Sequence, residues 1–174
     1  MKLTKKRIVS ALLMVLLLFT FTACGDKGND GADANNTQNT DGSSVMDKNT
    51  YLSEMDQLNS AAGEFTSACA EFMTLATSSS TEIDDLYDSV EKIRESKASF
   101  LEFNEINNPP EGYEDAHKQL AESSKNFGEF IDRYCDALKK TLDGEEVDTT
   151  EIEADLETLS LDLSNAMTAV KEIK

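Results

Sequence analysis

The chain has 174 residues, with 34 Asp and Glu against 16 Lys and Arg, and a formal net charge of −18. A field of that sign repels nucleic acid, anionic lipid headgroups and anionic wall polymers, which disfavours direct docking of the helices on a membrane. The imbalance lies in the C-terminal part: from Met46 onward there are 11 Lys and Arg against 30 Asp and Glu, a net −19.

In chain order, Lys2, Lys5, Lys6 and Arg7 form a basic head before an apolar run of 16 residues, Ile8 to Ala23. A helix crossing the hydrocarbon needs about 20 apolar residues, and a basic head, a short apolar middle and small residues at the end mark an export signal. Phe21-Thr22-Ala23-Cys24 resembles the lipobox of bacterial lipoproteins, with Phe21 where Leu is usual. The resemblance implies a signal peptide over 1–23, cleavage before Cys24 and a diacylglycerol on its sulfur. Two acyl chains hold a protein stably on a membrane where one does so only marginally. Residues 24–45 then read as lipidated cysteine plus linker. Gly25 to Ser44 carries four Gly, four Asp and four Asn and no apolar side chain larger than Ala, too little to offset its conformational entropy. Such a spacer holds the following domain about 25 Å from its anchor.

Residues 46–174 are the length of one domain and predict four helices. Met55, Leu58, Ala62, Phe65, Cys69, Phe72 and Ala76 step by three and four, which places them on one helical face. The first helix starts between Val45 and Tyr51. Ile83, Leu86, Val90, Ile93 and Phe100 form a second stripe, interrupted by Lys97, with Thr81 and Asp84 as its opening cap. Tyr113, His117, Leu120, Ser124, Phe127, Ile131, Tyr134 and Leu138 form the third; Asn108 caps it and puts Pro109 at the first helical position, where a missing N–H costs nothing. Gly144 ends it in a left-handed turn. The fourth stripe runs Ile152, Leu156, Leu159, Leu163, Ala166, Val170 and Ile173, opened by a Thr150–Glu153 capping box. Helices one and three reach about 33 residues, two and four about 25. Four one-sided helices with short connections predict an all-α fold, an antiparallel up-down-up-down four-helix bundle.

Candidate chemistry is sparse. His117, the single histidine, follows Glu114 by three residues, the spacing of a di-iron carboxylate helix, but such sites need a second Glu-x-x-His. A haem between His117 and Met55, Met73 or Met167 is conceivable; a half-buried ring bonded locally near the turn between helices two and three requires nothing further. The acidic runs Asp84-Asp85-Asp88 and Glu145-Glu146-Asp148 lack the glycine and spacing of a calcium loop, so neither metal nor cofactor is expected. There is no Gly-x-Ser-x-Gly, no glycine-rich phosphate loop and no Cys-x-x-Cys, so no enzyme is expected. Lys97 reads as an amine whose alkyl stem lies along the bundle edge. Cys69 and Cys135 fall at matching depth on helices one and three. They are either bridged or two buried inert thiols, since those helices lie diagonally and a bridge needs Cα atoms within about 7 Å.

The stretch FLEFNEINNPPEGYEDAHKQL, Phe100 to Leu120, resembles the segment joining two helices in small cell-surface lipoproteins of Gram-positive bacteria. There a Phe-rich helix end is followed by Pro-Pro, then Tyr and His at four-residue spacing, here Phe103, Pro109, Pro110, Tyr113 and His117. The resemblance implies a fold and an address, lipid-anchored at the cell membrane and facing outside the cytoplasm, and no activity. Two function classes follow. One is a binding or scaffold module that engages an envelope protein, or a cationic peptide or ligand, through an inter-helix groove. The other is a small-ligand or cofactor carrier built on Tyr113, Glu114 and His117.

Overall fold

The computed structural model describes residues 45–173. The expected signal segment, Cys24 and the linker as far as residue 44 lie outside the described residues. Regular structure among the described residues is entirely helical: α1 (Lys48–Thr77), α2 (Ile83–Glu95), α3 (Lys97–Glu102) with a 3-10 turn at Phe103–Glu105, α4 (Glu114–Leu142) and α5 (Thr150–Lys171). None of these helices is long and apolar enough to cross a membrane.

Helix α1 begins inside its expected window because the Asp47 carboxylate accepts the Thr50 N–H at 3.2 Å, satisfying one of the donors a helix start leaves bare. All seven residues of its expected stripe are buried, and Tyr51 extends that stripe one turn earlier. Ahead of it, the Met46 N–H donates to the Asn108 carbonyl at 2.8 Å, tying the start of the domain to the segment before α4.

Four boundaries differ from the expectation. The second helical rod is kinked: α2 stops at Glu95 and α3 resumes at Lys97. It opens one residue later than the Thr81 cap, at Glu82, whose N–H donates to Asp85 Oδ2 at 3.0 Å. Helix α4 starts at Glu114, so Asn108 does not cap it and Pro109 is not its first residue. Pro109 precedes Pro110, whose ring disfavours the helical conformation for the residue before it. The chain turns through Gly112, at φ +84, before Tyr113 donates its N–H to the Pro110 carbonyl at 3.0 Å. Helix α5 is capped from Thr149 rather than Thr150: the Thr149 hydroxyl donates to Glu153 Oε1 at 2.8 Å, and Asp148 Oδ1 accepts the Thr150 N–H at 3.0 Å. Gly144 has φ +88, the left-handed conformation expected of it. The helices are shorter than expected, with α1 and α4 at 30 and 29 residues against 22 for α5.

Helix α4 is the hub. Its backbone closely approaches α2, α3 and α5, and α1 closely approaches α2 and α3. Between α1 and α4 the contact is made by rings: Phe65 meets Phe127 edge to face at 5.4 Å between centroids and Tyr134 at 6.0 Å. Phe100 stacks on Phe127 at 4.9 Å. Such pairs contribute about 0.5–1.5 kcal/mol beyond the area they bury. Ser124, the polar step in the third stripe, is fully buried and donates its hydroxyl to the Phe100 carbonyl at 2.7 Å. Gly128 permits the close approach of α3, since a Cβ there would lie 3.1 Å from Leu101 Cδ2.

Candidate functional site

The residues singled out for chemistry fall into three places. His117, on the first turns of α4, is buried among Tyr51, Phe103 and Tyr113. Its ring lies 5.5 Å from Tyr51 and 5.6 Å from Phe103, and Tyr113 packs edge to face on Tyr51 at 5.6 Å. Lys48 Nζ sits 5.3 Å from the Tyr113 ring centre. The His117 Nε2 is 2.8 Å from the Ile106 carbonyl, which can only accept, so Nε2 carries the proton. Nδ1 is then the acceptor for the Tyr51 hydroxyl at 3.1 Å. Both ring nitrogens are committed within the chain, and the histidine fastens the α3–α4 connection to α1. Glu114, the third member of the expected cluster, is exposed, so the Glu-x-x-His spacing brings no carboxylate to the ring. Burial and the neighbouring Tyr113 push the Tyr51 hydroxyl up to about 12. The signal for Tyr51 was one turn away: it lies four residues before Met55 on the same stripe.

Cys69 and Cys135 are separate buried thiols, so the bridge held open above is not formed. The physical reason is that α1 and α4 meet here through large side chains such as Phe65, Phe127 and Tyr134 rather than backbone to backbone. Cys69 lies beside Tyr134, whereas the Cys135 thiol donates to the Val90 carbonyl at 3.6 Å. Burial pushes both thiols up to about 12, which suppresses the thiolate and with it reactivity. Lys97 is not a free amine either, since its ammonium pairs with Asp132. Among the described residues no group of three or more His, Cys, Asp or Glu is placed to hold a metal.

The open feature lies elsewhere. Between α1 and the kink in the second rod runs a groove of about 640 Å³ whose floor is small: Ser60, Gly63, Ser67 and Ala68 from α1 face Ser96 and Ser99. A second hollow of about 330 Å³ shares Ser60, Glu64 and Ser99 and carries the groove back to Ser53. From Ser53 to Glu71 the trough follows α1 for about 27 Å at 1.5 Å per residue. Its rim is acidic, with Asp56 and Glu64 on α1 and Glu95 on α2. Across it the Lys92 ammonium reaches Glu71 Oε1 at 2.9 Å, an amine bound by a carboxylate of the opposite wall. Space above Gly63 is empty, with no atom within 4 Å of where a Cβ would stand. The large apolar side chains left exposed, Val45, Ile83, Leu101 and Leu161, are scattered over different elements. Sequence reasoning placed an inter-helix groove among the function classes without its residues. The back face of α1, Ser60, Gly63 and Ser67 at helical spacing, was the available signal.

Residues 51–172 match DUF6376, a family of unknown function. No curated protein and no solved structure matches the chain.

Proposed function

The chain belongs to the DUF6376 family, whose function is unknown; from the basic head, apolar run and Cys24 of its sequence and from the trough along α1, we propose that it is a membrane-anchored lipoprotein facing outside the cytoplasm, whose helical domain is a protein-binding module. In this reading Cys24 carries the diacylglycerol, the following linker spaces the domain from the membrane, and the four rods run up-down-up-down. The observation that carries the binding role is the trough along α1. Small side chains let a partner's backbone come close, and the carboxylates of Asp56 and Glu64 on one wall and Glu95 on the other suit a partner segment rich in Lys or Arg. The carrier reading around Tyr113, Glu114 and His117 loses its ligating atoms, because Tyr51 and the Ile106 carbonyl already hold both nitrogens of His117.

Two measurements test the proposal. Mass spectrometry of the cellular protein should find a chain beginning at Cys24 with a diacylglycerol on the sulfur, and Cys24→Ser should leave the membrane fraction. An intact leader or a bare thiol overturns the anchor. A photo-crosslinking side chain at Gly63 should capture one stoichiometric partner on cells, while the same group at Thr158, exposed on α5, should not. Capture at neither position, or equally at both, removes the trough as the binding surface.

A further inference from the structure

The kink at Ser96 divides the second rod into two pieces that α4 holds separately. On the α2 side the Cys135 thiol bonds the Val90 carbonyl, and Arg94 reaches Asp132 at 3.1 Å and Asp136 at 2.7 Å. On the α3 side Ser124 bonds the Phe100 carbonyl, Leu101 lies over Gly128, and the Lys97 ammonium takes Asp132. One carboxylate therefore serves both pieces: Asp132 Oδ1 holds Arg94 and Oδ2 holds Lys97. The backbone between them is weakened from inside. The Ser96 hydroxyl donates to the Ile93 carbonyl at 2.7 Å, the acceptor that the Lys97 N–H uses in an unbroken helix. On the opposite side of the kink, Glu95, Ser96 and Ser99 form one wall of the trough.

We infer that Ser96 is a mechanical joint and that Asp132 is the clasp that sets it. The paired cations fix the angle between α2 and α3, and that angle fixes the width of the trough. The joint is a property of the fold and stands whatever occupies the trough.

Hydrogen exchange on the folded domain tests it. In Asp132→Asn, amides of Lys97–Leu101 should exchange about threefold faster or more, the size expected when a partly exposed carboxylate releases two cations, while α1 and α5 keep their rates. Asp136→Asn, which removes a partner of Arg94 only, should leave Lys97–Leu101 unchanged, and Asp132→Glu should restore part of the protection. Equal acceleration in every helix, no change at Lys97–Leu101, or the same effect from Asp136→Asn overturns the clasp. Should Asp132→Asn fail to fold, Lys97→Met removes one arm alone. Local acceleration at Lys97–Leu101 then supports the joint, and an unchanged rate there sinks it.

Discussion

Two stretches of the same helix meet opposite fates. At the start of α1, Tyr51 is sealed under Phe103, Tyr113 and His117 with every polar atom of the histidine bonded. Further along the helix, Ser60, Gly63 and Ser67 look out into an open trough edged by carboxylates. The sealed end holds the residue types that suggest chemistry and uses them as fasteners. The open stretch holds residue types that suggest nothing and leaves room for a partner. The hydrogen-bonding capacity of the His117 ring is spent within the chain, leaving no ring nitrogen open to a ligand.

The contrast can be pressed hardest at the ring cluster. Phe127, fully buried between Phe65 and Phe100, should cost about 3–5 kcal/mol as Phe127→Ala, read from the denaturant midpoint at constant slope. A loss below 1 kcal/mol would show that α1 and α4 are not held together by rings. Next comes the sealed pole. Tyr51→Phe keeps the ring and strips the donor from His117 Nδ1, leaving a buried acceptor bare, so the expected loss is about 1–3 kcal/mol. No loss in thermal or chemical unfolding would mean that water reaches the histidine.

The pH dependence sharpens the same division from the buried side. Cys69 and Cys135 are raised from 9.0 to about 12 in the folded chain. Above pH 9 the unfolded thiols lose protons that the folded ones keep, so the stability is whole below pH 9 and falls as pH rises toward 12. Each proton so released steepens the fall by up to about 1.4 kcal/mol per pH unit. The Cys69→Ala/Cys135→Ala double variant should show a shallower alkaline limb in unfolding curves; an unchanged limb would place the titration elsewhere. The smallest effect is expected in the open region, and its sign is reversed. Gly63→Ala adds a methyl where nothing stands within 4 Å and should stabilise the helix by about 0.5–1 kcal/mol. Gly128→Ala should gain less, since Leu101 must give way. Equal gains at both would mean that α3 and α4 are not closely packed.

The helical stripes were legible because burial repeats with the turn of the helix: every expected stripe residue of α1 and of α4 is buried. The kink was not. Its trace was Lys97, a charge set on an apolar stripe, and recognising it required the position of Asp132, some 35 residues away. The Pro109 boundary failed because the preference of proline for a helix start competes with the effect of a following proline on its neighbour, and the latter prevailed. His117 was placed near the right turn, but its partners Tyr51 and Ile106 come from two other segments that no local spacing connects to it.

The bond from the Met46 amide to the Asn108 carbonyl has a mechanical reading. Tension applied through the residues before Val45 does not load the first turn of α1 alone. It divides between that turn and the loop ahead of α4, whose other moorings are the Ile106 link to His117 and the tilted contact of the Phe103 and His117 rings. Peeling the domain from its N-terminal end must shear these attachments together, so the end that receives the pull is also the end that is riveted twice.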